Sequence, residues 1–224
     1  MTLDAKIKAV GFDMDGTVMN TKVDYVKLAC VVRDEFVEQG VPQEAIDLDT
    51  KDNSMVHGLK WLKENKPEAL KTFDKKIGDR ATAVELEHSD IAKPYPGARE
   101  IIEKIRSMGY RTTILTRGGR EYATKILTAS GMIDLFDALV ARDDYAYGDA
   151  KPNRKAMEHM CEKIGVGCDE VIYVGDGTAD YLVTVNSGSQ FVGVETHMTR
   201  AEWEKLGGPS IVTVPTVADL DRFL

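Results

Sequence analysis

The chain has 224 residues, which suits one large domain or a core domain that carries a small insert. Its composition, 43% hydrophobic and 29% charged, is typical of a folded globular protein and excludes collagen-like and disordered classes. The net charge of −8 disfavours binding to nucleic acid or to an anionic membrane surface, because both are negatively charged. We therefore expect neither a nucleic-acid partner nor a membrane partner.

The cysteines and the N-terminal segment bear on the cellular compartment. Cys30, Cys161 and Cys168 have no CxxC spacing and cannot all pair within one chain, which is typical of a reducing compartment. Charges interrupt the apolar residues of the N-terminal segment, so it lacks the apolar run of an export signal. No stretch approaches the length of about 18 apolar residues that a membrane span needs. These features predict a cytoplasmic protein.

The first predicted elements are a strand and a group of helices. A short apolar run at residues 7–13 stops at an aspartate and a Gly-Thr turn, which predicts a buried strand. Apolar residues at helical spacing over 25–36, followed by Gly40, predict a helix. Helical character continues to about Ile91, without alternating or β-branched runs. Residues 19–91 are therefore predicted to form a small α-helical cap domain.

Helical and strand patterns alternate from residue 98 onward. The helices are predicted at 98–108, 121–130 and 153–164, from 179, through Trp203, and at the end of the chain. They alternate with strands that are predicted at 111–116, 138–141, 171–174, 191–194 and 211–214. This alternation is typical of a parallel sheet with helices on both faces. The predicted fold class is α/β: a Rossmann-like parallel sheet flanked by helices, formed by residues 1–18 and 92–224, with the cap inserted. Residues 19–24 and 93–97 are predicted hinges, which suggests that the cap is a lid.

Polar residues follow the predicted strands at the sheet edge where open α/β folds bind ligands. They are Asp13 and Asp15 after the first strand, Thr116 at the end of strand 111–116, Asp176 after strand 171–174, and Lys151 in the loop before helix 153–164. Two carboxylates as close as Asp13 and Asp15 repel each other unless a cation or a shared proton relieves them. We expect Asp13 and Asp176 to bind Mg²⁺ together with a main-chain carbonyl near Asp15, because this ion prefers hard oxygen ligands.

Phosphoryl transfer is the chemistry that uses every member of this set. An ionised Asp13 can attack phosphorus and form an aspartyl phosphate. A protonated Asp15 can donate to the leaving oxygen and then accept a proton from the attacking water. Thr116 can donate a hydrogen bond to an equatorial phosphoryl oxygen, and Lys151 can offset its negative charge.

Four stretches of the chain resemble, in order and spacing, the motifs of the haloacid dehalogenase superfamily. They are FDMDGT at 12–17, ILT ending at Thr116, AKP at 150–152 and GDGTAD at 175–180. Over nearly its whole length the chain is similar to the phosphoglycolate-phosphatase-like branch, whose members carry a helical cap after the first strand. The resemblance implies a magnesium-dependent phosphatase. It implies that Asp13 is the nucleophile and a metal ligand, and that Asp15 is the acid/base, with its carbonyl on the metal. It also implies that Thr116 and Lys151 bind phosphate and that Asp176 is a further metal ligand.

Two positions keep more than one interpretation. Asp180 contributes to the surroundings of the metal, pairs with Lys151, or is an ordinary acid in the first turn of a helix. Arg117 stands where asparagine is usual in this branch, and it is followed by GGR at 118–120. Its side chain either holds a second anionic group, as a phosphate-binding residue, or points into solvent.

The predicted activity is hydrolysis of a small phosphorylated metabolite, phosphoglycolate-like or a sugar phosphate, since a closing helical lid leaves room only for small substrates. A sugar phosphomutase of the same superfamily stays an alternative, because the sequence does not determine whether water or substrate accepts the phosphoryl group. A phospho-accepting regulatory module similar to response-regulator receivers is disfavoured by the length of the chain and by its insert. An inactive scaffold is disfavoured because Asp13 and Asp176 are both present.

Overall fold

The computed structural model describes residues 5–46 and 53–224, so residues 1–4 and the cap segment 47–52 lie outside the described residues. Six strands form one sheet in the order β5-β4-β1-β6-β7-β8, and every neighbouring pair in it is parallel. The described strands are β1 (Ala9–Phe12), β2 (Met19–Asn20), β3 (Lys93–Pro94), β4 (Arg111–Leu115), β5 (Ala138–Val140), β6 (Val171–Gly175), β7 (Gln190–Val194) and β8 (Thr213–Val214).

Helices cover both faces of the sheet, which confirms the predicted α/β class. One face packs against α4 and α5, with Ile102 and Ile105 buried, and the other packs against α6 and α7, with Met157 and Met160 buried. None of the helices within 5–46 and 53–224 combines the length and the apolar character that crossing a bilayer requires. The α-helices are α1 (Tyr25–Glu38), α2 (Asn53–Asn65), α3 (Leu70–Leu86), α4 (Ala98–Ser107), α5 (Arg120–Ala129), α6 (Arg154–Ile164), α7 (Thr178–Ser187) and α8 (Arg200–Gly207).

Two elements near the C-terminus differ from the predictions. The predicted strand 211–214 is reduced to β8, because the Ile211 amide donates to the Gly208 carbonyl at 3.2 Å in a turn. The terminal helix is a 3₁₀ helix, Val217–Phe223. It starts where the amide and hydroxyl of Thr216 donate to Asp219 Oδ2 at 3.1 and 3.0 Å.

The helical insert has a small hydrophobic core of its own. Phe36 of α1 stacks on Phe73 of α3 with ring centroids 4.8 Å apart, and Leu62 of α2 is buried in the same cluster. Gly58 of α2 permits this packing, because a Cβ there would lie 2.7 Å from the Phe36 ring. The predicted apolar stripe of α1 is buried only toward its end, since Tyr25 at its start is 61% exposed. The boundaries of the cap at 19 and 91 stay a prediction.

The two predicted hinge stretches run side by side. β2 pairs antiparallel with β3, so that Met19 lies opposite Pro94. The Tyr95 amide extends this pairing by donating to the Val18 carbonyl at 2.9 Å. The ribbon also begins close to the first predicted site residues, because the backbone of Asp15 forms a bridge with Met19. The insert therefore leaves the core and returns to it at one place.

An ion pair joins the start of α5 to the segment after β5. The Arg120 guanidinium donates to both carboxylate oxygens of Asp144, and it also donates to the Leu139 carbonyl at 2.9 Å. Burial alone would raise the pKa of the Asp144 carboxyl. The Arg120 guanidinium and the Ala141 amide outweigh burial and hold this pKa below its usual value.

We expect Asp144→Asn to lower the free energy of unfolding by about 1 kcal/mol at neutral pH, because a partly exposed charge-assisted pair is lost. The folded-state pKa of Asp144 is depressed, so its contribution exists above the unfolded-state pKa and is lost as the pH falls through the folded-state value. Urea unfolding of both proteins, from neutral pH down to about pH 3, measures this difference. A difference that does not shrink on acidification contradicts the prediction. Asp134→Asn, which changes an exposed acid, is the matched control.

Candidate active site

The carboxyl ends of three adjacent strands bring the predicted site residues together. Asp13 follows β1, Thr116 follows β4 and Asp176 follows β6, and β1 lies between the other two strands. Backbone pairing continues past the strand ends, because the Asp13 amide donates to the Val174 carbonyl at 2.8 Å. Asp13 and Thr116 are buried. The parallel register thus fixes the three side chains at one edge of the sheet.

Lys151 lies at the centre of the hydrogen bonds of this edge. Its Nζ donates to Asp13 Oδ1 at 2.6 Å, to Asp180 Oδ1 at 2.6 Å and to the Tyr173 hydroxyl at 2.9 Å. Burial alone would lower the pKa of the ammonium group. The carboxylates of Asp13 and Asp180 outweigh burial and hold this pKa well above its ordinary value. Lys151 is therefore charged at neutral pH.

Asp180 pairs with Lys151 and also lies in the first turn of a helix, which are two of the three interpretations that the sequence left open. Its Oδ1 pairs with Lys151, and its Oδ2 accepts a hydrogen bond from the Gly177 amide at 3.0 Å in the first turn of α7. The third interpretation, a contribution to the surroundings of a metal, is compatible with its position beside Asp13 and Asp176.

Three carboxylates lie close enough to share a cation. Asp13, Asp176 and Asp180 each offer an oxygen atom, and these atoms all lie within 4.8 Å of one another. Burial, followed by the negative charge of Asp180, raises the pKa of Asp176 to about 7. Burial and the neighbouring carboxylates also raise the pKa of Asp13 well above its ordinary value, against the opposing effect of Lys151. These shifts reflect burial first and the repulsion between neighbouring carboxylates second.

Asp176 also lies close to the turn after β1. A Cβ on Gly16, whose φ is +80°, would lie 2.0 Å from Asp176 Oδ2. Glycine is therefore needed at this position both for the backbone conformation and for the close approach of the carboxylate. The hard oxygen donors and their excess of negative charge fit a divalent metal ion.

Asp15 is oriented differently from the other acids. The Tyr122 hydroxyl donates to Asp15 Oδ1 at 2.7 Å, and the Asp15 carboxylate does not belong to the group of possible metal ligands found among the described residues. Burial raises the pKa of Asp15, and hydrogen bonds from Tyr122 and Thr21 lower it by less. A raised pKa favours the protonated carboxyl, which is the form that an acid catalyst needs. A metal contact through the Asp15 carbonyl stays a prediction.

Thr116 and Arg117 follow β4 but present different groups to the site. Thr116 Oγ1 accepts a hydrogen bond from the Gly118 amide at 2.9 Å, so its own hydrogen remains to be donated elsewhere. The side chain of Arg117 is exposed, and its carbonyl accepts a hydrogen bond from Arg142 at 3.1 Å. The structure thus places Arg117 toward solvent, and a role for it in phosphate binding stays a prediction.

The sequence patterns missed two tyrosines of the site, because Tyr173 falls within an apolar strand and Tyr122 on the apolar stripe of a helix. Tyr173 of β6 donates to the Leu115 carbonyl at 2.7 Å while it accepts from Lys151. Tyr122 of α5 has a buried ring, and only its hydroxyl reaches Asp15. For Tyr173 the sequence held one signal, a glycine within β1: a Cβ on Gly11 would lie 2.9 Å from the Tyr173 ring.

Comparisons with known proteins agree with this fold. Residues 7–188 match the family described as haloacid dehalogenase-like hydrolase. The chain is 26% identical to the phosphoglycolate phosphatase of Pasteurella multocida over 197 residues, which is 84% of this chain and 86% of that protein. It is 27% identical to pyrophosphatase PpaX of Halalkalibacterium halodurans over 183 residues, 82% of this chain and 81% of that protein.

A solved structure of a hydrolase from Pseudomonas syringae shares the fold, with a TM-score of 0.64, 21% identity and coverage of 96% of both chains. Since the family match spans most of the sequence, the chain belongs to the haloacid dehalogenase-like hydrolase family. The resemblance predicted from the four motifs, including the similarity to phosphoglycolate phosphatases, is confirmed, and so is the prediction of an enzyme.

The central position of Lys151 leads to a prediction about stability. We expect Lys151→Met to lower the free energy of unfolding by about 3 kcal/mol or more in metal-free buffer, because Asp13 and Asp180 lose their buried counter-charge. Denaturant unfolding with a chelator present measures the loss. The control is Lys155→Met, since Lys155 pairs with Asp149 at the surface. Equal losses for the two variants would contradict a special role of the buried ammonium.

Proposed function

We propose that the protein is a magnesium-dependent phosphatase that hydrolyses a small phosphate ester, phosphoglycolate-like or a sugar phosphate, through a covalent aspartyl phosphate. The observation that carries the proposal is the buried Lys151 ammonium, which contacts Asp13 and Asp180 at the edge where Thr116 and Asp176 also lie. The family membership and the phosphatase and pyrophosphatase names of its relatives support phosphoryl chemistry.

Asp13 is the nucleophile in this proposal. Lys151 holds Oδ1 of Asp13, which leaves Oδ2 as the oxygen that attacks phosphorus. Attack forms an O–P bond, and the bond between phosphorus and the ester oxygen breaks. The ammonium group of Lys151 stabilises the ionised carboxylate before the attack and the phosphoryl oxygens during it. Thr116 donates its hydroxyl hydrogen to one of these oxygens.

Asp15 moves the proton in both half-reactions. Tyr122 donates to Oδ1 of Asp15, so this proposal assigns the proton of the neutral acid to Oδ2. Asp15 gives this proton to the leaving ester oxygen, and the alcohol departs. The resulting carboxylate then accepts a proton from the water that attacks the aspartyl phosphate, so Asp13 is regenerated and inorganic phosphate is released.

Asp13 and Asp176 are the residues that would hold Mg²⁺, with Asp180 and the Asp15 carbonyl beside them. The ion supplies positive charge against the phosphoryl oxygens when it is bound. Its positive charge would also offset the negative charge of the acidic groups at this edge, where Lys151 faces several carboxyls. This proposal requires activity to depend on a divalent ion.

The helical insert supports a small substrate, because a docked cap leaves little room and excludes bulk water. The cysteines Cys30, Cys161 and Cys168 are free thiols, which supports the proposal of a cytoplasmic protein. A sugar phosphomutase uses the same residues, so the products of the reaction distinguish the two activities.

We expect the purified protein to release inorganic phosphate from small phosphate esters with Mg²⁺ and to lose this activity in a chelator. Asp13→Asn should lower kcat by about a thousandfold or more without unfolding the protein, because an amide is not a nucleophile for phosphorus. A phosphate-release assay and thermal unfolding measure the two effects, with Asp134→Asn as the surface control. Conversion of a sugar phosphate into its isomer with little free phosphate would indicate the mutase. A fully active Asp13→Asn would refute the aspartyl-phosphate route.

We expect Asp15→Asn to affect the two half-reactions unequally. A substrate with a good leaving group, such as an aryl phosphate, needs no proton on departure, so some phosphorylation of Asp13 continues. Hydrolysis of the aspartyl phosphate slows because no base activates the water. Rapid-quench kinetics should therefore detect a burst and an accumulated phosphoenzyme. Steady-state phosphate release at the wild-type rate would contradict the assignment of Asp15.

A further inference from the structure

A buried ion pair joins the helical insert to the core. Arg142, two residues after the end of β5, donates to Glu85 Oε1 at 2.6 Å and to Glu85 Oε2 at 3.1 Å. The two side chains are only 6% and 4% exposed. The same guanidinium donates to the Thr82 hydroxyl at 2.7 Å and to the Gly78 carbonyl at 3.2 Å. Residues 78, 82 and 85 lie on one face of α3, and a single core side chain binds all three.

The ion pair also holds the turn 117–119 that follows β4. The Gly119 amide donates to Glu85 Oε2 at 2.9 Å, and the Arg142 guanidinium donates to the Arg117 carbonyl at 3.1 Å. The main-chain amide of Arg142 donates to the Gly118 carbonyl at 3.0 Å. Every residue of the turn is therefore bonded to one member of the pair.

Glycine at position 119 is required by this arrangement. A Cβ there would lie 2.3 Å from Thr82 Oγ1 and 2.9 Å from Arg142 Nη2. Neither atom can move aside without breaking the hydrogen bond that they share. Gly119, in the GGR stretch that follows the unusual Arg117, thus has a physical explanation: it lets α3 and Arg142 approach the backbone of the turn.

The turn is connected to the candidate active site through Thr116. Because the Gly118 amide donates to Thr116 Oγ1, the position of Gly118 restricts the direction in which the hydroxyl hydrogen can point. Gly118 is held in turn by the amide of Arg142. Two consecutive hydrogen bonds therefore connect the main chain of Arg142 to the hydroxyl that faces the phosphoryl group in the proposed reaction, and the Arg142 guanidinium holds the adjacent Arg117 carbonyl.

We propose that Glu85 and Arg142 are positioning residues, which align turn 117–119 and with it the Thr116 hydroxyl when the cap is docked on the core. The inference rests on the proposed function, because the role of Thr116 in binding phosphate belongs to it. Docking of the cap on the core then also aligns the Thr116 hydroxyl as a hydrogen-bond donor. A substrate is enclosed only by a site whose Thr116 is already oriented for transfer.

Variants with uncharged side chains at positions 85 and 142 distinguish positioning of the turn from stabilisation of the fold. Glu85→Gln and Arg142→Met each leave one buried charge without its counter-charge, so both single variants should lose stability. The double variant Glu85→Gln/Arg142→Met removes both charges and should recover much of that loss. If the pair only stabilised the fold, activity would recover with stability. A positioning role requires that activity stays low, because the guanidinium no longer binds the turn.

We expect kcat of the double variant, for a small phosphate ester with Mg²⁺, to be about 10- to 100-fold below that of the wild type, with KM little changed. The matched control is Glu35→Gln/Arg80→Met, which neutralises an ion pair that joins α3 to α1 instead of to the turn; Arg80 also pairs with Glu38 of α1. The control should keep the wild-type kcat. A double variant that regains both stability and kcat would overturn the proposal.

Amide hydrogen exchange tests the same inference without activity. The segment containing residues 117–119 should exchange faster in the double variant than in the wild type, while the control double variant leaves it unchanged. Unchanged exchange in the double variant would overturn the alignment of the turn by the pair. A wild-type protein without phosphatase activity would refute the proposed function, and the exchange result would then decide separately whether the pair holds the turn.

Discussion

The concentration of buried acidic groups around one ammonium group is the constraint on which this molecule depends. Asp13, Asp176 and Asp180 meet within reach of a single cation, and Lys151 is the buried positive charge that contacts two of them. Such a cluster is costly to bury without further positive charge, and the raised pKa values of Asp13 and Asp176 express that cost. The sheet tolerates it because parallel strands hold the acids at a polar edge, where a metal ion can supply the positive charge that Lys151 alone does not.

The fold and the members of this edge could be predicted from the sequence, because both depend on local patterns. Short apolar runs ending in Asp13, Thr116 and Asp176 define buried strands and place polar groups at their carboxyl ends. Asp180 kept three interpretations, because its partner Lys151 is distant in sequence and only the tertiary structure brings them together. The end of the chain was predicted less well, since the length of a strand beside a turn depends on single hydrogen bonds.

The contacts that orient the site could not be predicted in the same way. Tyr122 lies on an apolar helical stripe and its ring is buried as that pattern requires, so nothing in the pattern indicates that its hydroxyl reaches Asp15. Glu85 and Arg142 are 57 residues apart, and each resembles an ordinary charged surface residue until the cap is folded onto the core. Groups that carry out chemistry therefore left a stronger signal in the sequence than the groups that orient them.

The pairing of β2 with β3 also bears on how such a molecule can be assembled and altered. The backbones of Val18 and Tyr95 already share a hydrogen bond of 2.9 Å, so the chain between them begins and ends at neighbouring points. Closing the core across that gap would need only a short connection, and replacing the insert by another would leave every strand of the large sheet in its order. The helical insert is thus an exchangeable unit: evolution or an engineer can replace it without changing the order of the strands that carry Asp13, Thr116 and Asp176.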